Sequence, residues 1–150
     1  MALRERLNED LKVAMRAKDP VRLAVIRGIK AAVLSAETRA ERVTLEDEGI
    51  LQVISKELKE RQEALPEFER AGRQDLVDKL RQEMAIVQEY LPAPLSSDEL
   101  AKLVADAIDR SGAAGPRDLG KVMGILQPAI RGRADGRMVA DLVKSQLQRG

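Results

Sequence analysis

The chain has 150 residues, of which 44% are hydrophobic and 34% charged, with a net charge of +1, no Cys and no His. The lack of Cys and His excludes disulfides, thiolate nucleophiles and Ser-His-Asp catalysis, and it removes the usual zinc ligands. One Phe and one Tyr are too few for an aromatic base-stacking platform. The sequence therefore predicts a helical protein with no catalytic residues, no metal site and no cofactor.

Apolar residues recur at helical spacing through the first ninety residues or so, which predicts four helices. A proline at a first helical turn, Pro20, begins the second helix, which runs to about Ala40. Thr44 is the predicted N-cap of the third helix. Pro66 is expected to kink or end that helix because proline lacks the N–H and clashes with the preceding turn, and Gly72 is a suitable stop.

The clearest boundary follows the fourth helix, where Pro92 and Pro94 deny any continuation of helix. We place one subdomain at 1–92 and a second at 93–150. Three more helices are predicted there: Ser96 and Glu99 form a capping box at the first, and Asp135 caps the last. Tyr90 is expected to plug the junction with its hydroxyl at the surface. The predicted fold is all-α and multi-helical, with about four helices followed by about three.

The third helix carries acidic residues that alternate with basic ones. Glu57, Glu60 and Glu63 are interleaved with Lys and Arg along one polar helix. Acid–base or metal chemistry would need carboxylates that converge in a pocket. We interpret this pattern instead as exposed ion pairs, worth about 0.3–0.5 kcal/mol each.

Five short stretches occur in the order typical of a known family: RLAVIR (22–27), AGR (71–73), EYLP (89–92), GKVM (120–123) and GRADG (132–136). Together they resemble the GatB/YqeY-like proteins. The last two resemble the C-terminal tail of GatB, the tRNA-handling subunit of the glutamine-dependent tRNA amidotransferases. The resemblance implies two α-helical subdomains and a tail associated with recognition of the tRNA body. It also implies tRNA, an amidotransferase or an aminoacyl-tRNA synthetase component as partners.

The tail is basic: residues 115–150 hold seven Lys and Arg against three Asp, a net charge of +4. The glycine loop before the last helix allows positive φ and close approach, and the helix start offers free N–H groups to an anion. The alternative is a capped turn between helices with solvated arginines, none of them on the apolar stripe. The residues that we predict to bind nucleic acid are Lys121, Arg131, Gly132, Arg133 and Arg137.

Gly120 interrupts an apolar helical pattern, at a cost of roughly 1 kcal/mol relative to Ala. Such a cost indicates that something approaches the backbone closely. The two candidates are another helix, which would make Gly120 a structural residue, and a nucleic-acid backbone with Lys121 reaching a phosphate.

Three functions are open at this point. The first is a non-catalytic tRNA- or RNA-binding protein. The second is an accessory amidotransferase component, for which the family label would be carbon–nitrogen ligase with glutamine as amido-N-donor, although the chain has no amidase Ser-Ser-Lys array and no nucleotide loop. The third is a protein–protein adaptor. Because no apolar signal-peptide core or membrane-length run is present, we expect a cytoplasmic protein without membrane contact.

Overall fold

The computed structural model describes residues 2–39 and 41–149. Within these ranges the structure contains helices and no strand, so the all-α prediction is confirmed. The predicted end of the second helix at Ala40 lies outside the described residues. The helices are α1 (Leu3–Arg16), α2 (Pro20–Arg39), α3 (Asp47–Arg70), α4 (Gln74–Gln88), α5 (Ser97–Ser111), a 3₁₀ turn (Pro116–Asp118), α6 (Leu119–Ile130) and α7 (Gly136–Arg149).

The chain forms two compact units, residues 1–91 and 92–150. The first contains α1 to α4 and the second α5 to α7. Pro92 begins the second unit, one residue before the position at which the sequence placed the second subdomain. None of the helices in the described ranges has both the length and the apolar character needed to cross a bilayer.

In the first unit α1 packs on α2, α3 packs on α4, and α2 contacts both α3 and α4. The side chains at the centre are almost wholly enclosed: Ile26, Ile29, Ile50, Ile54 and Val87. Full burial of an apolar side chain of this size contributes about 1.5–3 kcal/mol. The β-branched residues that the helical spacing placed inward therefore supply much of the stability of this unit.

The start of α3 differs from the prediction. The helix begins at Asp47 and its N-cap is Glu46, so Thr44 lies in the preceding loop and the prediction that it caps α3 is wrong. The physical reason is a tertiary contact: Asp47 accepts a hydrogen bond from the Leu3 N–H at 3.0 Å, which satisfies a free donor in the first turn of α1. A side chain at the start of one helix thus caps another.

Neither internal proline ends its helix. Pro66 lies inside α3, which continues to Arg70, and Pro128 lies inside α6, which continues to Ile130. Both prolines are exposed. A carbonyl that loses its helical donor on the solvent side can be hydrated, which lowers the cost of the missing hydrogen bond. Gly72, with φ +69°, follows the end of α3 as predicted.

In the second unit α5 packs on α6 and α7, which also pack on each other. The predicted capping box is present: Ser96 Oγ accepts from the Glu99 N–H and Glu99 accepts from the Ser96 N–H, each at 3.1 Å. Gly112 closes α5 in the left-handed conformation, with φ +67°. The core is aliphatic and consists of Leu100, Val104, Ala107, Val122, Leu126, Ile130, Val139, Val143 and Leu147.

Candidate nucleic-acid interface

The glycine loop between α6 and α7 is a compact turn. Gly132 has φ +73°, in the left-handed region that favours glycine. The N–H groups of Arg133 and Ala134 both donate to the Ile130 carbonyl, at 2.8 and 3.0 Å. Asp135 then accepts from the Arg137 N–H at 3.0 Å, as expected for an N-cap of α7. The turn is therefore tied to the end of α6, and part of the α7 start is already occupied by Asp135.

Arg133 differs from a solvated arginine. Its Nε donates to the Ala93 carbonyl at 2.9 Å, and its own carbonyl accepts from the Leu95 N–H at 2.8 Å. Its Nη2 lies 3.9 Å from a Glu99 carboxylate oxygen. These contacts hold the segment 93–95 against the loop. The alternative of a turn with fully solvated arginines does not hold for Arg133, since its side chain is only 33% exposed and engages residues of its own unit.

Gly120 lies on an open face of α6. A Cβ atom built at Gly120 would meet nothing within 4 Å, and the same holds for Gly124, one turn later. Of the two candidates for close approach to Gly120, a second helix is therefore not found among the described residues. Gly124 is not among the predicted site residues, although its spacing of four residues from Gly120 is the signal that places both on one side of a helix.

Two cations, Lys121 and Arg131, lie close to these glycines in the sequence. Lys121 Nζ lies 3.7 Å from Asp118, but the Lys121 side chain is 70% exposed, so the pair is weak. Arg131, directly after α6, is exposed and forms no ion pair with any residue of the described ranges. Its N–H still donates to the Gln127 carbonyl at 3.1 Å, so its side chain leaves from a helical position. Ten residues at 1.5 Å each put Lys121 and Arg131 about 15 Å apart along the axis.

Arg137 is also exposed and lies in the first turn of α7, after the glycine loop. It has no ion-pair partner among residues 2–39 and 41–149. The structure thus places Lys121, Arg131 and Arg137 on the solvent side of one three-helix unit, with Gly120 next to Lys121 and Gly124 between Lys121 and Arg131. Gly132 and Arg133, which are also predicted to bind nucleic acid, shape the loop.

The carboxylate beside Lys121 is a structural one. Asp118 accepts from the Ala114 N–H at 2.9 Å, and this hydrogen bond, together with Lys121, lowers the pKa of Asp118. The aspartate thereby closes the turn before the 3₁₀ segment. Because it remains ionised at neutral pH, it offsets part of the charge of Lys121.

The remaining predicted site residue lies in the first unit. Tyr90 is 4% exposed, and its hydroxyl donates a hydrogen bond to Asp10 instead of reaching the surface. The guanidinium of Arg6 lies 4.5 Å from the centre of the Tyr90 ring, a cation–π geometry. Burial, and then the bond to Asp10, raises the pKa of the Tyr90 hydroxyl far above its usual value. Tyr90 therefore holds the end of the first unit to α1.

Of the acidic residues named on α3, Glu57 is less exposed than expected, whereas Glu60 and Glu63 are exposed. Arg61 lies between Glu57 and Glu83, with N–O distances of 3.9 and 3.2 Å, and the Glu57 and Arg61 side chains are each 17% exposed. Burial raises the pKa of Glu57. In the described part of the chain no three acidic side chains are grouped so that they could hold a metal ion.

Comparison with known proteins gives a family and several relatives. The family model described as Yqey-like protein matches residues 4–147. The chain is similar to a protein of Pyrenophora tritici-repentis named altered inheritance of mitochondria protein 41, mitochondrial, with 35% identity over 134 residues, covering 86% of this chain and 71% of that protein. Proteins of the same name from Eremothecium gossypii (35% identity, 67% of this chain) and Kluyveromyces lactis (34%, 62%) are matched over 56% and 51% of their own lengths.

These relatives contradict the cytoplasmic location expected from the sequence, because all three are named as mitochondrial proteins. The expectation depended on the lack of an apolar signal-peptide core. That criterion does not separate the two compartments, since mitochondrial targeting segments are amphipathic and Arg-rich and have no such core. With a family match that spans nearly the whole chain and both helical units, the protein belongs to the Yqey-like family.

Proposed function

We propose that the second unit is a non-catalytic RNA-binding module and that its binding surface is the open face of α6. One observation carries this proposal: Gly120 and Gly124 form an exposed stretch of α6 backbone where an added Cβ would meet nothing within 4 Å, and the exposed cations Lys121 and Arg131 lie on the same helix and directly after it. A glycine inside a helix, such as Gly124 in α6, costs about 1 kcal/mol of helix stability relative to Ala. A sugar–phosphate backbone that approaches this stretch would offset that cost.

The roles of the side chains follow from their positions. Lys121 and Arg131 would contact phosphates near the two ends of the face, and Arg137 would add a third contact beyond the loop. The glycines would let the RNA backbone come close to the helix. Contacts of this kind are to phosphate and sugar, so they position the RNA without reading its sequence. The RNA class that the resemblance to the GatB tail suggests is tRNA.

The test is a salt titration of tRNA binding by fluorescence anisotropy. The double variant Lys121→Ala, Arg131→Ala should bind more weakly to every RNA sequence tried. The slope of log K against log salt should flatten by about one unit for each lost phosphate contact. The matched control removes one Lys and one Arg from exposed positions of α5, Lys102→Ala and Arg110→Ala, and should keep most of the parent's slope.

If the α6 double variant and the parent have the same affinity and salt slope, the proposed surface is wrong. If the parent binds no RNA at low salt, the RNA function itself is wrong. A protein–protein adaptor then becomes the better hypothesis, and its binding should depend far less on salt.

A further inference from the structure

A half-open groove of about 420 Å³ lies between α1 and α2 in the first unit, remote in sequence from the α6 face. Its walls are side chains on facing sides of the two helices, among them Leu7 and Asn8 from α1 and Ala31 and Leu34 from α2. Ile50, from the first turn of α3, contributes to the lining. The groove is therefore lined mainly by apolar groups.

Two of its three charged residues neutralise each other. Arg4 Nη2 donates to the Glu37 carboxylate and also to the Leu45 carbonyl at 3.1 Å, while the Leu45 N–H donates to Glu37 at 2.7 Å. The Leu45 N–H, together with Arg4, lowers the pKa of Glu37, so the pair stays ionised at neutral pH. One end of the groove is thus closed by a network whose charges cancel.

Lys30 lies seven residues before Glu37 on the same helix, about 10 Å along its axis. It lines the groove and forms no ion pair with the residues that the structure describes. The groove therefore has one uncompensated positive charge, separated from the neutral end by an apolar stretch. Such a distribution complements a molecule with a single negative head and an apolar body.

Leu34 lies between the two charged positions on α2 and is 65% exposed, although it is a large apolar residue. A single exposed leucine is ordinary on a protein surface. Here, however, it borders an apolar groove beside an unpaired lysine, so a hydrocarbon that lies in the groove would cover it. That burial would be favourable by about 25 cal/mol per Å² of apolar surface.

We propose that this groove binds a small single-chain amphiphile with one negative charge, of which a medium-chain carboxylate is the simplest representative. The carboxylate would pair with Lys30 and accept from the Asn8 amide, and the chain would extend past Ala31 and Leu34. The groove volume lies in the range of small-molecule sites, about 300–1,000 Å³. Nothing in the RNA proposal depends on this site.

A docked partner helix fits less well. One turn of a helix about 10 Å wide with a 5.4 Å pitch occupies roughly 420 Å³, the whole volume of the groove. Helix-in-groove docking uses anchors at i, i+4 and i+7, spread over two turns. A single hydrocarbon chain with a charged head is narrower than a helix, so it can lie along the groove and pair with its one cation.

The probe is sodium decanoate, below its aggregation threshold, titrated into the full chain by isothermal calorimetry. One saturable site is expected. Decanol lacks the charge and butyrate lacks the chain, so each should bind about three- to tenfold more weakly or not at all. Heat that never saturates, or equal binding of decanoate and decanol, would overturn the proposal.

Two variants locate the site. Lys30→Gln should weaken decanoate binding about three- to tenfold, and Ala31→Leu should abolish it by filling the groove from an exposed helical position. The matched control is Lys59→Gln, which removes an exposed lysine from α3 outside the groove. If Ala31→Leu changes the thermal melt, Leu34→Ser is used in its place, because it removes apolar surface that the hydrocarbon chain would cover and should also weaken decanoate binding. Equal binding in the groove variants and the control contradicts the assignment.

The negative head group and the apolar chain could belong to a free carboxylate or to a lipid of an anionic membrane. Vesicles of phosphatidylcholine with and without phosphatidylglycerol distinguish these sources. Saturable decanoate binding without vesicle binding supports a free amphiphile. Decanoate binding that anionic vesicles compete for, and that Lys30→Gln weakens, supports the same groove with a lipid as its source. Vesicle binding without any site for decanoate would overturn the proposal.

Discussion

Arg133 and Ala93 are joined by a hydrogen bond of 2.9 Å from the arginine Nε to the alanine carbonyl, forty residues apart in sequence. The adjacent bond from the Leu95 N–H to the Arg133 carbonyl, 2.8 Å, makes the contact reciprocal. An arginine that the charge pattern grouped with the binding residues is thus the residue that holds the first segment of the second unit in place. Side chains of the same charge, two positions apart, therefore have different surroundings: Arg131 is exposed, whereas Arg133 is bound to Ala93.

We expect Arg133→Ala to lower the stability of the second unit by about 1–2 kcal/mol, because it removes a charge-assisted hydrogen bond and leaves a backbone carbonyl without its donor. Hydrogen exchange measured by mass spectrometry should show faster exchange in segments 93–95 and 131–135. Arg131→Ala is the matched control, since Arg131 is exposed and its stability effect should stay within about 0.5 kcal/mol. Equal effects of the two substitutions would mean that the Arg133 contacts contribute nothing.

Tyr90 should resist ionisation as long as the protein is folded, because burial and the bond to Asp10 raise the pKa of its hydroxyl. The protonated Tyr90 hydroxyl stabilises the folded state. Because its pKa is raised on folding, this stabilisation is present at lower pH and is lost as pH rises through the folded pKa. The chain has a single Tyr, so phenolate absorbance reports on Tyr90 alone. We expect phenolate to appear together with the loss of helical circular dichroism in alkali.

In denaturant the same residue should titrate near its usual pKa, about 10. Tyr90→Phe should cost about 1 kcal/mol, the usual net value of one hydrogen bond, because Asp10 loses the hydroxyl donor but keeps its ion pair with Arg6 at 3.8 Å. Phenolate that forms near pH 10 while the helical signal is intact would show that the hydroxyl is not held as described.

Gly120→Ala and Gly124→Ala should each stabilise the protein, by about 0.5–1 kcal/mol, because alanine has the higher helix propensity and a Cβ meets nothing within 4 Å at either position. Thermal unfolding measures this. Gly72→Ala is the contrasting control: its φ of +69° strains any side chain, so it should destabilise the protein.

The same two alanine variants also test the RNA proposal. If RNA approaches the α6 backbone, the more stable variants should bind tRNA more weakly, since the added methyl groups occupy the space that the RNA needs. Unchanged affinity in the stabilised Gly120→Ala, Gly124→Ala variant would mean that close approach is not part of binding. Such an outcome would leave only the cations to test.

Glu57→Gln should change stability in a pH-dependent manner. Burial raises the pKa of Glu57 because the neutral carboxyl is easier to bury than the carboxylate. The protonated Glu57 side chain therefore favours folding fully below about pH 4.3, the usual glutamate pKa, and this effect is lost as pH rises through the folded pKa. The free energy of unfolding of the variant, relative to wild type, should therefore increase between pH 4 and pH 7. Urea titrations at several pH values measure it.

Glu63→Gln, at an exposed position on the same helix, is the control for the loss of one carboxylate. A difference that decreases with pH for Glu57→Gln would show that the pair with Arg61 outweighs burial. The sign of the trend therefore decides which of two opposing effects dominates at this site.

Much of the local structure could be predicted because its causes are local. The apolar spacing determined which faces of the helices are buried. Ser96, with Glu99 three residues later, determined where α5 begins. Gly72 and Gly112 mark helix ends because only glycine adopts positive φ at little cost. The proline pair after Leu91 lies where the first unit ends.

What could not be predicted depends on contacts between residues distant in sequence. Whether Arg133 is free or bound to Ala93, whether Asp47 caps α1, and whether Tyr90 reaches the surface or Asp10 are all decided by which segments fold against each other. Gly120 is the clearest example. A glycine in an apolar helical pattern indicates that something approaches the helix backbone closely, but the sequence does not say whether that is another helix of the protein or a binding partner. The sequence alone determined the family, the helices and the positive charge of the tail, because these depend on composition and short-range pattern. Only the tertiary structure decided which cations are available, because an arginine is accessible or occupied according to the carbonyls and carboxylates that the fold brings to it.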